Sequence, residues 1–246
     1  MSGFVQSRNV RFSCCPLLLG IARPVAGLTH LGRAADKRYS LGDLFPDRNA
    51  RLESLKVLKK LSHFVQSISN RKSFLLLLVA YSIYFPVFFF ADVPFGLTRI
   101  KPYAEGTNIL DVELFYSAEQ AYQRLALFGE QGRAVYFNIL MGDLIYPALL
   151  GGFLSVSITL LFRRLNFSGV YWQYLSLLPL ANMAFDYVED ALLLSLLNSY
   201  PAQLPLAATA AGFVTFTKNM FGMLSFIALG FGLVALLLQR FKKQNV

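Results

Sequence analysis

The sequence predicts an all-α fold: a four-transmembrane-helix bundle with a short amphipathic helix in the first extramembrane loop and a basic N-terminal extension. Three observations predict it. The 246 residues are 55% hydrophobic and 15% aromatic with only 15% charged, a balance that a soluble domain of this length does not sustain. The apolar residues gather into four stretches, at about 74–91, 134–162, 170–197 and 206–238, each long enough to cross a hydrocarbon core of roughly 30 Å. The net charge of +9 comes mostly from residues before Phe74 and at the C-terminus, with Arg163 and Arg164 between the second and third stretches. By the positive-inside rule these three basic segments share one side of the membrane, which four crossings satisfy. Basic residues outside the apolar stretches suit anionic lipid better than a nucleic-acid groove, so a lipid bilayer is the expected partner and nucleic acid is not. A homo-oligomer is compatible with this composition.

Residues 1–49 read as a targeting or disordered extension. From Met1 to Ala35 there is no acid, while Arg8, Arg11, Arg23 and Arg33 stand among Ser2, Ser7 and Ser13, the composition of an organellar transit peptide. A signal-peptide core at Cys14 to Ile21, a palmitoylated Cys14/Cys15 pair and plain disorder are the competing readings. These adjacent cysteines are the only ones and cannot staple a fold. Residues 50–72 form a basic amphipathic juxtamembrane helix, with Leu52, Leu55, Leu58, Leu61 and Val65 near helical spacing and Arg51, Lys56, Lys59 and Lys60 between them. It can lie on anionic lipid or simply lead into the first span as a solvated helix.

The membrane domain covers 74–240. Its first span contains Pro86 and closes at Asp92 and Pro94. The segment to Gly132 is too polar for lipid, and within it Ser117 and Gln120 have capping-box spacing ahead of an apolar stripe, Ala118, Ala121, Tyr122, Leu125 and Phe128, ending at Gly129. The second span is interrupted by Asp143, Pro147, Gly151 and Gly152. The third follows an LNFSG turn, and an uncharged NSYPAQLP linker leads to the fourth, which stops at Arg240, Lys242 and Lys243.

The third span carries the chemistry. A charge at the bilayer centre costs about 2.5 to 3.5 kcal/mol on insertion scales, and Asp186, Glu189 and Asp190 lie together in its middle. With Asn182 they form one stripe, opposite Leu180, Met183, Leu192 and Leu194. Counted from the loop-side edge, Asp143 lies roughly 14 Å deep, Glu189 about 15 Å, and Asp186 and Lys218 about 18 to 19 Å. A buried polar cluster of Asp143, Tyr146, Asp186, Glu189, Asp190 and Lys218 is therefore expected, with Asn182, Thr215, Arg133 and Tyr136 as accessory residues. Tyr136, Asp143 and Tyr146 share a face of the second helix; Thr215, Lys218 and Ser225 share one of the fourth.

Carboxylates that outnumber their amine either take up protons or bind cations. Three outcomes are open: interhelical glue, proton- or cation-linked binding or transport of a small polar solute, and a metal-assisted enzyme acting on a lipid-like ester. Asp143, Asp186 and Glu189 are the candidate ligands for a divalent cation. No catalytic residue is assigned. His30 and His63 precede the first span, and nucleotide-binding glycine loops, HExxH and Gly-x-Ser-x-Gly elbows are absent from the sequence.

The run Tyr116-Ser117 through Ala121-Tyr122, Gly129, Gly132-Arg133, Tyr136 and Asp143-x-x-Tyr146-Pro147, with Leu178-Pro179, Asp186-x-x-Glu189 and Thr215-x-x-Lys218, resembles a family of small, uncharacterised four-span integral membrane proteins. The resemblance covers about 74–240 and implies the same boundaries and residue set. In that pattern Asn often follows the Glu where this chain has Asp190. No activity is implied by it.

Overall fold

The structure, a computed structural model, describes residues 48–166 and 170–244. The expected N-terminal extension, with its cysteine pair, lies almost wholly outside the described residues. Within them the regular elements are all helical: α1 (Arg48–Ile68), α2 (Arg71–Phe90), α3 (Ala118–Leu127), α4 (Gly129–Asp143), α5 (Tyr146–Arg164), α6 (Val170–Leu175), α7 (Leu178–Ser199) and α8 (Pro205–Gln244), with 3-10 turns at Leu97–Tyr103 and Leu110–Val112. Three segments are long and apolar enough to cross a membrane: Arg71–Phe90, Gly129–Arg164 and Pro205–Lys242. Polarity is inverted relative to a soluble domain: Leu76 on α2 is 72% exposed, whereas Glu189 on α7 is 0% exposed. That distribution is stable only if the outer surface meets hydrocarbon.

Several helix boundaries follow from local chemistry. Asn70 caps α2 by accepting from the Lys72 and Ser73 amides. Ser117 and Gln120 form a reciprocal capping box at the start of α3, and α3 turns directly into α4 at Gly129, whose φ of +63° a side chain would strain. The stretch expected as one second span is two helices, broken at Leu144 and Ile145. Pro147 has no N–H to offer the Asp143 carbonyl, and the chain tightens instead through Ile145 N–H to the Gly142 carbonyl at 3.2 Å. Phenols then satisfy neighbouring carbonyls: Tyr84 donates to Gly142 O at 2.5 Å and Tyr187 to Leu144 O at 3.0 Å. A second break separates α6 from α7, where Pro179 occupies the first turn of α7.

α7 packs along α8 and against α5, and α2 and α8 both pack on α5. The face of α7 left exposed is Ala184, Val188, Ala191, Ser195 and Asn198. Leu180, Met183, Leu192 and Leu194, on the side opposite the polar stripe, are partly buried because α7 packs against both α5 and α8. Two apolar clusters hold the molecule. One gathers Phe88, Leu110, Leu125, Tyr136, Leu140, Leu193, Leu196, Ala208 and Ala211; the other gathers Ile158, Phe162, Leu165 and Ala228. Along α8, Thr215, Lys218 and Ser225 fall between Ala211 and Ala228, so the polar residues form a layer between two dry ones.

On α1 the apolar stripe divides. Val65 is buried, with Ser62 donating to the Gln173 carbonyl, while Leu55, Leu58 and Leu61 stay exposed. Arg163 ties this helix down through the Ser69 and Gln66 carbonyls at 3.0 and 2.6 Å.

Candidate functional site

The buried cluster is centred on Lys218. Its Nζ lies 2.6 Å from Asp186 Oδ1 and 2.5 Å from Glu189 Oε2, and all three side chains are buried. α7 sets up the pair because Asp186 and Glu189 are three residues apart and therefore share a face; α8 supplies the amine from its own inward face with Thr215. The Thr215 hydroxyl donates to Glu189 Oε1, and it also reaches the Ala211 carbonyl of its own helix at 2.8 Å. One hydroxyl hydrogen thus serves two acceptors.

Asp190 is 1% exposed and neither carboxyl oxygen has a hydrogen-bond partner among the described residues. Asp143 is buried beside the break between α4 and α5 and forms no ion pair among the described residues. Both lie within Coulombic reach of Lys218.

The first loop adds a fifth carboxylate that the span pattern did not single out. The 3-10 turn Leu110–Val112 buries Asp111 under the bundle, where it lines the same cavity as Asp186 and Lys218, and the Tyr136 hydroxyl donates to its Oδ1 at 3.4 Å. Burial pushes the Asp111 carboxyl up to about 6; the nearby Lys218 amine pulls against that shift and Asp186 adds to it. The sequence signal was present: Asp111 interrupts the apolar run Ile109-Leu110 and Val112 just as the α7 acids interrupt theirs. Loop docking depends on Gly212 of α8, where an added Cβ would collide with the Tyr116 carbonyl oxygen, and on Asn219, which donates to the Glu113 carbonyl at 2.9 Å. Tyr116 itself is buried beside Glu189 and Thr215; burial first, then the Glu189 charge, raises its phenol above the ordinary value.

Between α5, α7 and α8 lies a cavity of about 250 Å³, lined by Asp111, Tyr146, Asn182, Asp186, Lys218 and Asn219 with an apolar wall from Leu150, Leu154 and Phe226. At roughly 30 Å³ per water, it has room for about eight waters or one small polar solute. Gly222 keeps it open to Asn182, since a Cβ there would sit 2.9 Å from Asn182 Oδ1.

The remaining expected residues fall as follows. Asn182 and Tyr146 line the cavity, and Tyr146 also packs 5.3 Å from the Phe89 ring. Tyr136 is fully buried and reaches the site through Asp111; the break at Leu144 and Ile145 takes it off a continuous helical face shared with Tyr146. Arg133 belongs elsewhere: it donates to the Leu125 carbonyl at 3.0 Å and stands 4.0 Å over the Tyr200 ring, bracing α3 against the end of α7. Gly151 permits close packing, its Cβ direction meeting Pro179 O at 3.1 Å. Among the described residues no three His, Cys, Asp or Glu side chains converge as a metal-binding group, and two of the candidate ligands, Asp186 and Glu189, are engaged by Lys218.

No family model, curated protein or solved structure matches the chain.

Proposed function

We propose that the chain is a four-crossing membrane protein whose central layer binds protons, or a monovalent cation in their place, together with a small polar solute. α7 is the fourth crossing. Its 22 residues reach about 33 Å as a helix, enough for the hydrocarbon core, and its three acids all turn toward protein. With α7 crossing, Arg71 and Lys72, Arg163 and Arg164, and Arg240 and Lys242 all fall on one side, as the positive-inside rule asks; three crossings would divide them.

The observation that carries the reading is the cavity itself, because it sets Asp111, Asp186, Lys218, Asn182 and Asn219 around a space large enough for a guest. Five carboxylates, Asp111, Asp143, Asp186, Glu189 and Asp190, stand within Coulombic reach of one amine. So many charges cannot all stay ionised and unpaired in a low-dielectric layer, so the surplus holds protons or cations. The doubly claimed Thr215 hydroxyl supports the same reading: when it donates to the Ala211 carbonyl, Glu189 keeps the contact only by donating a proton of its own.

The test is flux. In liposomes carrying an internal pH indicator, a panel of small amines, amino acids and polyols is expected to include a solute that moves protons with it, and Glu189→Gln is expected to abolish that movement while the protein still folds. Absence of solute-linked proton or cation movement in a folded, correctly inserted protein contradicts the proposal.

The pairing of Lys218 with two carboxylates from the neighbouring helix also favours a second reading, in which the cluster only fastens α7 to α8. On that reading, filling the cavity by Gly222→Leu leaves every activity of the protein intact. The reading adopted above requires the substitution to exclude the solute.

A further inference from the structure

A second cavity, of about 320 Å³, lies at the opposite end of the bundle from Asp111 and shares no residue with the central site. α5 forms its floor, while α2 and α8, which both pack on α5, form its walls. Floor and walls are mostly apolar: Phe153 and Leu160 lie on the floor, and Phe74, Leu229 and Leu233 on the walls. At one end stand Arg71 and Arg164, both exposed and neither in an ion pair among the described residues. Arg163, next in sequence, is spent on the Ser69 and Gln66 carbonyls, so the two arginines of that pair have different work.

The shape matches half a bilayer. From Phe153 to Arg164 the α5 floor runs roughly 16 Å, about one leaflet of a core roughly 30 Å thick, and the charged end falls where α2 begins and α5 finishes, at the membrane edge. Arg71 sits in the first turn of α2, the positive end of that helix dipole, where a cation is disfavoured unless an anion joins it. The lining contains no carboxylate, so nothing there would hold the cationic group of a zwitterionic headgroup. We infer that this groove is a binding site for an anionic phospholipid, with an acyl chain between α2 and α8 on the α5 floor and the phosphate between Arg71 and Arg164. Guanidinium forks suit a phosphate held in two directions, and such contacts strengthen where lipid excludes water. The site stands apart from the central cluster and does not depend on what that cluster does.

Native mass spectrometry of the full chain, released from detergent with phosphatidylglycerol or phosphatidylcholine of identical chains, tests the inference. The parent is expected to retain phosphatidylglycerol in preference to phosphatidylcholine, and Arg71→Gln with Arg164→Gln is expected to weaken that retention about tenfold or more, a factor worth about 1.4 kcal/mol per decade. Leu233→Trp, which keeps both charges and fills the groove, is expected to lose the lipid as well, and carries the test should the double variant not fold. Equal retention of the two lipids, or retention of phosphatidylglycerol unchanged in Leu233→Trp, overturns the inference. So does a dimer mass in place of the lipid adduct, which would make a second copy the occupant, or equal protection by inorganic phosphate alone.

Discussion

Lys218 touches two carboxylates, so removing it leaves both uncompensated, whereas removing Asp186 still leaves Glu189 at 2.5 Å. Lys218→Met alone is therefore expected to cost about 3 to 5 kcal/mol, the cost of a broken buried pair, and Asp186→Leu alone to cost less. Combined, they should recover part of the loss; thermal unfolding in detergent measures the coupling, and strictly additive losses would mean the groups do not interact. Asp111 carries a different signature. Its folded value of about 6 lies above the ordinary 3.8, so the folded state holds the proton more tightly than the unfolded one. The stability this adds is complete below about 3.8 and is lost as pH rises through about 6, an effect on the order of 3 kcal/mol. Asp111→Asn should flatten the pH dependence in that window; an unchanged slope would place the titration elsewhere. Asp186, Glu189, Lys218 and Thr215 were legible as residues because a charge inside an apolar run has so few explanations. Asp111 was legible as an acid inside a short apolar run, but its place in the cluster was not, because a loop's path is set by tertiary contact and leaves no periodicity in the sequence; Asn219 shows its part only through the Glu113 carbonyl it reaches.

At the scale of elements, the docking of the first loop rests on a backbone close to α8. Gly212→Val should push the Tyr116 carbonyl away and unseat Asp111, costing about 1 to 3 kcal/mol as overpacking does, and solvent exchange at the amides of residues 110–116 would report it. Full protection of those amides in the variant would show that the loop is held by other means. The break between α4 and α5 is braced by phenols, so Tyr84→Phe should take one donor from the Gly142 carbonyl, leaving the Ile145 N–H at 3.2 Å, and cost about 1 kcal/mol in unfolding measurements. The capping box at Ser117 could be read from the sequence, since it is a local rule written in adjacent residues, whereas the stretch 170–197, expected as one span, divides into α6 and α7 ahead of Pro179. The interruption at Leu144 and Ile145 was only half legible: Pro147 announced a disturbance, but whether a helix bends or divides depends on the donors that Tyr84 and Tyr187 bring from other helices.

For the whole molecule, composition alone separated a membrane protein from a soluble one, and the inverted polarity of the surface follows from it. The number of crossings did not follow in the same way. Three segments qualify by length and hydropathy, while α7, which is not among them, carries the acids that give the molecule its polar layer. The parity of the crossings decides between the two arrangements, and with it whether the carboxylates of α7 lie inside a bilayer at all. Single cysteines placed at Lys59, Gly106, Asn166, Gln203 and Gln244 of a chain lacking Cys14 and Cys15, labelled from each face of sealed vesicles, measure it directly. The account predicts that Lys59, Asn166 and Gln244 label from one face, and Gly106 and Gln203 from the other. Labelling of Asn166 and Gln203 from the same face would contradict it.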